Sequence, residues 1–116
     1  MGIILLVEAN PTTRALLHAQ LAEAGHEVLL PDTPADALGD LALLHPDLLI
    51  LDSVGLPLDQ IHQLANARGQ TPLLVCTGAF DRRRLDLEAL KPARILTRPF
   101  SIAALAQAVE ALLTQP

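Results

Sequence analysis

Four residues carry chemistry that their surroundings do not explain: Glu8, Asp52, Thr77 and Arg98. Each arrives at the end of a short, largely apolar run. A carboxylate that ends a fully apolar strand costs free energy unless something there pairs or uses its charge. Asp52, after Leu48-Leu49-Ile50-Leu51, is the plainest case. It either caps the loop Ser53-Val54-Gly55-Leu56-Pro57 and the helix beyond, or it is the centre of an active site. Two carboxylates, a hydroxyl and a cation in one place are the ingredients of phosphoryl transfer. The carboxylates would hold a divalent metal and one would act as nucleophile. The hydroxyl and the cation would bind phosphoryl oxygens.

Those four residues need elements to bring them together. Ile3–Val7 reads as a buried strand, and Asn10-Pro11 as a helix start with a capping side chain and proline in the first turn. Leu16, Leu17 and Leu21 form that helix's apolar stripe, and Gly25 stops it. His26–Leu30 is a second strand. Thr33-Pro34-Ala35-Asp36 opens a second helix in the manner of a capping box, with Leu38, Leu41 and Leu44 facing inward before Pro46. Leu48–Leu51 is a strand buried on both faces. A helix over Asp59–Arg68 buries Ile61, Leu64 and Ala65 and ends at Gly69.

Thr71–Thr77 is a fourth strand, Asp81–Leu90 a short charged helix and Ala93–Leu96 a brief fifth strand. Ser101 caps a last helix carrying Ile102, Leu105, Val109, Leu112 and Leu113. Five strands alternating with five helices require parallel strands with helices on both faces of one sheet. The expected fold is a doubly wound α/β sandwich with strand order 2-1-3-4-5. In that order Glu8, Asp52, Thr77 and Arg98 converge at the switch point between the first and third strands.

Composition narrows the function. The chain has 116 residues, enough to bury a core as one domain over 1–116. With 51% hydrophobic residues and Phe80 and Phe100 as its two aromatics, that core is aliphatic. A net charge of −5 argues against nucleic acid or anionic membrane as a partner. Arg82-Arg83-Arg84 is too short a basic run to reverse that, and reads as a solvated face. No apolar run approaches spanning length, no secretory leader is expected, and the one cysteine, Cys76, suits inert core in a reducing cytoplasm. Without a glycine-rich phosphate loop or a nucleophile elbow, nucleotide triphosphate and Ser-His-Asp chemistry are disfavoured, and no enzyme is expected. His18, His26, His45 and His62 lack metal-ligand spacing and read as ordinary surface or helix-end residues.

Ile-Leu-Leu-Val-Glu-Ala-Asn-Pro, Pro-Asp-Leu-Leu-Ile-Leu-Asp, Leu-Leu-Val-Cys-Thr-Gly and Ile-Leu-Thr-Arg-Pro-Phe together resemble the receiver domain of two-component response regulators. The resemblance runs from Ile3 to the last helix, with the motifs in the family's order and spacing. It implies a flavodoxin-like fold and a signalling role. Asp52 falls on the aspartate that accepts a phosphoryl group from a histidine kinase, and Thr77 on the switch hydroxyl. Glu8, Asp52 and the backbone carbonyl of Val54 fall on Mg²⁺ ligand positions. A cis Arg98-Pro99 bond is implied as well.

Departures from the pattern carry equal weight. Ala9 stands where the family has a second acid, Arg98 where it has lysine, and Ile95 where many members carry an aromatic switch residue. Pro57 lies one residue later than the usual proline, and Gln60 replaces a common glycine. Losing a carboxylate removes a charge and an oxygen from a hard-cation site, so Mg²⁺ is expected to bind weakly or not at all. Arginine's planar fork is not a substitute for a compact ammonium. The expectation is a phosphorelay receiver whose phosphorylation is weak or absent, with Arg98 bonded to Asp52 and Ile95 buried in one rotamer. Its partners would be a histidine kinase or other phosphodonor, or a second copy through the face of the fourth helix, fifth strand and fifth helix. The alternatives are a phosphorylation-independent dimerisation module and a small-molecule-binding α/β domain.

Overall fold

A run of uninterrupted Leu, Ile and Val cannot leave a face to water, so each such strand must be covered on both sides. The computed structural model describes residues 2–115 and shows how this is done. Five parallel strands, β1 (Ile3–Val7), β2 (Glu27–Leu29), β3 (Leu48–Asp52), β4 (Leu73–Thr77) and β5 (Arg94–Thr97), form one sheet in the order β2-β1-β3-β4-β5. Alternate side chains divide between its two faces. Ile4, Leu6, Leu48, Ile50, Leu74 and Cys76 pack with α1 (Pro11–Glu23) and α5 (Ile102–Leu113). Leu5, Leu49, Leu51, Leu73 and Val75 pack on the other side with α2 (Pro34–Leu44), α3 (Leu58–Ala67) and the single-turn α4 (Leu87–Leu90). The flavodoxin-like fold expected from the sequence is the fold observed.

Helix starts follow their caps. Asn10, Thr33 and Ser101 each accept a hydrogen bond from the backbone N–H three residues on, at 3.0, 3.1 and 3.0 Å. Helix ends also follow the sequence: Gly25 takes a positive φ of 96° after α1, and α2 ends just before Pro46, on His45 in the left-handed region at φ 45°. The Arg98–Pro99 peptide is cis.

Several expectations need correction. Leu16 and Leu44 are exposed, because α1 and α2 each bury a narrower stripe, Leu17 with Leu21 and Ala37 with Leu41. The helix expected over Asp81–Leu90 is broken in two. A 3₁₀ turn spans Asp81–Arg84, then Leu85 goes extended to reach the core, and Asp86 caps α4 by accepting from the Ala89 N–H at 3.2 Å. Burying Leu85 and capping with Asp86 outweigh the helical continuity that ten polar-rich residues could supply. Ile95 is half-buried, since β5 is the sheet's edge and its outer side has no further strand. His26 is buried, not a surface residue. Its Nδ1 accepts from the Gly2 N–H at 3.2 Å, which leaves Nε2 as donor to Glu110 at 2.9 Å.

Candidate functional site

Sheet register assembles the site. Val7 pairs with Leu51, so the next residue on each strand, Glu8 and Asp52, emerge side by side at the carboxyl edge. Thr77 pairs with Thr97, and the Arg98 N–H donates to the Thr77 carbonyl at 2.8 Å, which carries Arg98 to the same edge. All four sequence-predicted side chains are therefore collected at one end of the sheet. Asp52 and Thr77 are fully buried, Glu8 nearly so, and Arg98 keeps about a third of its side chain exposed, 34%.

Arg98 grips Asp52 through both terminal nitrogens. Nη1 donates to Oδ1 at 3.0 Å and Nη2 donates to Oδ2. The guanidinium also lies over the Phe100 ring, 5.8 Å from its centroid, and Nη2 stands 3.8 Å from Glu8 Oε2. This two-pronged bond raises the Arg98 pKa further above its ordinary value, so its charge is fixed. Asp52 Oδ1 additionally accepts from the Val54 N–H at 3.0 Å. Both of its oxygens are thus engaged.

Glu8 is differently placed. Oε1 accepts from the Asn10 N–H at 3.0 Å, while Oε2 is buried with no partner among the described residues. Burial first, and then the neighbouring Asp52 carboxylate, push the Glu8 carboxyl up to about 8. Cys76, behind the site, is pushed up to about 12 by burial and carries no reactive thiolate.

For Mg²⁺, a hard cation that demands six oxygens in near-ideal geometry, the arrangement fits poorly. The Ala9 side chain offers no oxygen, and the Asp52 carboxylate is engaged by the guanidinium and an amide. Val54 meets the site through its N–H. Only Glu8 Oε2 is an uncommitted carboxylate oxygen there. No group of three or more His, Cys, Asp and Glu residues suited to a metal occurs among the described residues.

Two contributions escaped the sequence reading. Ser53, buried beside Asp52, donates to Thr77 Oγ1 at 2.7 Å, and Thr77 in turn donates to the Gly78 carbonyl at 3.3 Å. A hydroxyl immediately after a strand-terminal acid is the signal that could have exposed this pair. Arg68, at the end of α3, donates to the Leu90 and Lys91 carbonyls at 2.8 and 3.0 Å and ties α4 to α3. Nothing local in the sequence marks that role.

No protein-family model matches the chain, and no curated protein matches it. Solved structures do. The receiver domain of a sensor histidine kinase from Pseudomonas aeruginosa, solved with a magnesium ion in its active-site cleft, is 22% identical. It superposes with a TM-score of 0.84, over 98% of both chains. Full-length FixJ from B. japonicum is 27% identical with a TM-score of 0.81, over 98% of this chain and 58% of FixJ. The chemotaxis protein CheY4 of Vibrio cholerae is 19% identical with a TM-score of 0.78, over 97% of this chain and 98% of that one. Register, strand order and these likenesses agree: the chain has the fold of the response-regulator receiver domains.

Proposed function

We propose that the chain is a receiver module of a two-component phosphorelay, spanning residues 1–116, in which phosphoryl transfer to Asp52 is held back by Arg98. The observation that carries this reading is the pair of hydrogen bonds from the Arg98 fork to both Asp52 oxygens. In the working step, an Asp52 oxygen would attack the phosphorus of a phosphohistidine. The P–N bond would break, and the imidazole nitrogen would keep the electron pair. Thr77 and Arg98 are the groups at the site able to bind the transferred oxygens.

Two features oppose that step here. The attacking carboxylate accepts hydrogen bonds from a guanidinium and an amide, which lowers its nucleophilicity. The residues at the site also supply few oxygens for Mg²⁺, so binding of that ion is weak or absent. Signalling then rests on contacts with a kinase or on pairing of two copies through the face of α4, β5 and α5.

Labelling with acetyl phosphate and Mg²⁺ tests the reading. Wild type should take up little label. Ala9→Asp should raise uptake, and combining it with Arg98→Lys should raise it further, because one change restores a carboxylate and the other releases Asp52. Asp52→Asn should abolish whatever labelling occurs. Rapid, Mg²⁺-dependent labelling of the unmodified chain at Asp52 would overturn the restraint. Absence of label in every variant would overturn the receiver reading itself.

A further inference from the structure

Asp52 and Thr77 reach the same edge of the sheet but lean to opposite faces of it. Asp52 is in register with Cys76, which packs toward α1 and α5. The guanidinium that holds Asp52 lies over Phe100, which packs on that same side. Leu51 and Val75, one residue earlier on each strand, pack toward α2, α3 and α4. Side chains alternate along a strand, so Ser53 and Thr77, one residue later, turn to the face of Leu51 and Val75.

There the two hydroxyls meet out of water, at 1% and 0% exposure. Ser53 Oγ donates to Thr77 Oγ1 at 2.7 Å, the favoured distance for such a pair. Thr77 has one hydroxyl proton, and it goes to the Gly78 carbonyl at 3.3 Å, a longer and weaker bond. That carbonyl also accepts the Arg82 N–H at 2.9 Å, from the 3₁₀ turn over Asp81–Arg84. The Ser53 backbone is fixed as well, because its N–H donates to the Cys76 carbonyl at 2.9 Å. A chain of hydrogen bonds thus joins the residue after Asp52 to the turn that precedes α4.

We propose that Ser53 is a positioning residue that latches the Thr77 hydroxyl on the α3 and α4 side of the sheet, away from the Asp52 carboxylate. This role rests on the receiver reading of Asp52 and adds a second restraint to that of Arg98. For Thr77 to bind an oxygen of a phosphoryl group on Asp52, its hydroxyl must turn toward the α1 and α5 side. The bond from Ser53 then breaks, and Ser53 is left as a buried donor without its partner, which is costly. That cost falls on the phosphorylated arrangement alone, so it opposes phosphoryl transfer without weakening the resting fold. The same turn withdraws the Thr77 proton from Gly78, which is how the Asp81–Arg84 turn would register the event.

Labelling with acetyl phosphate and Mg²⁺ provides the test, in the full chain carrying Ala9→Asp and Arg98→Lys to release Asp52. Adding Ser53→Ala should raise the labelling rate about fivefold, the worth of one ordinary hydrogen bond. The rise should persist with Thr77→Ser, which keeps the hydroxyl, and vanish with Thr77→Val, which removes it. Without phosphodonor, Ser53→Ala in the otherwise unmodified chain should shift the amide resonances of Thr77, Gly78 and Arg82. Those of β2 should stay in place. A rate unchanged by Ser53→Ala would overturn the latch, and so would a lower rate, which would mean that Ser53 aims Thr77 at the phosphoryl oxygens. A rise of equal size with Thr77→Val would overturn it too, since Ser53 would then act without Thr77. Amide shifts that extend across β2 would show general loosening and would also remove the proposal. Label taken up with no rise from Ser53→Ala removes the latch alone. Absence of label in every variant overturns the receiver reading, and the latch with it.

Discussion

At residue 98 the difference between arginine and lysine decides the state of the site. A lysine ammonium is one compact charge that can be shared among several oxygens, whereas the guanidinium presents two parallel donors that match one carboxylate. That match closes Asp52 on Arg98 and leaves Glu8 with one buried oxygen unpaired. Glu8 answers by holding its proton. Its pKa in the fold is about 8, against an ordinary 4.5, chiefly because it is buried. Between those two values the folded chain holds a proton that the unfolded chain has released. The contribution to stability is therefore complete below about 4.5 and is lost as pH rises through about 8. Glu8→Gln mimics the protonated form and should remove that dependence. Urea unfolding in chelator from pH 5 to pH 9 should show wild type losing a few kcal/mol relative to the variant. A constant difference across that range would show that Glu8 is ionised in the fold.

Among the elements, β3 and its neighbours are fixed by burial alone, while the segment from Asp81 to Leu90 depends on particular contacts. α4 has one turn, too short to persist by itself, and Leu85 and Leu90 are its buried anchors. Arg68 supplies the remaining restraint by donating to the Leu90 and Lys91 carbonyls, which the end of a helix leaves without internal partners. Lys91 follows in the left-handed region at φ 49°. Arg68→Ala should leave those carbonyls without protein donors and cost about 1–3 kcal/mol. Hydrogen exchange should quicken first in residues 87–97 and leave β1 and β3 at wild-type protection. Uniform acceleration across the sheet would mean that Arg68 supports the whole fold and not this element.

For the whole molecule, the sheet's two faces are independent clusters joined through one set of strands. Ile50 packs toward α1 and α5, and Leu51, the next residue, toward α2 and α3, both at 0% exposure. Ile50→Ala and Leu51→Ala should each destabilise by about 2–5 kcal/mol. Because the strands are common to both clusters, each variant should shift a single cooperative transition seen alike by far-ultraviolet circular dichroism and by exchange on both faces. Separate transitions for the α1/α5 and α2/α3 sides would show two layers that fold independently. No helix among the described residues is long and apolar enough to cross a membrane.

Sequence alone determined the strands, most caps and the convergence of Glu8, Asp52, Thr77 and Arg98. The reason is local: β3 and β4 are apolar without interruption, which demands a sheet covered on both faces, and such sheets gather strand-end residues at one edge. The cap residues Asn10, Thr33 and Ser101 act within three residues of themselves, so nothing distant can displace them. Tertiary structure decided what depends on contacts between distant residues. Leu16 and Leu44 fit a helical stripe by spacing, yet only the packed sheet sets how wide a stripe each helix buries. The break at Leu85 follows from a core position waiting for it, and His26 is buried because Gly2 and Glu110 both reach its ring. Arg98 was legible as a cation near Asp52. That it takes both Asp52 oxygens, while Ser53 holds Thr77, is fixed by contacts between residues far apart in the chain, which no single stretch of sequence encodes.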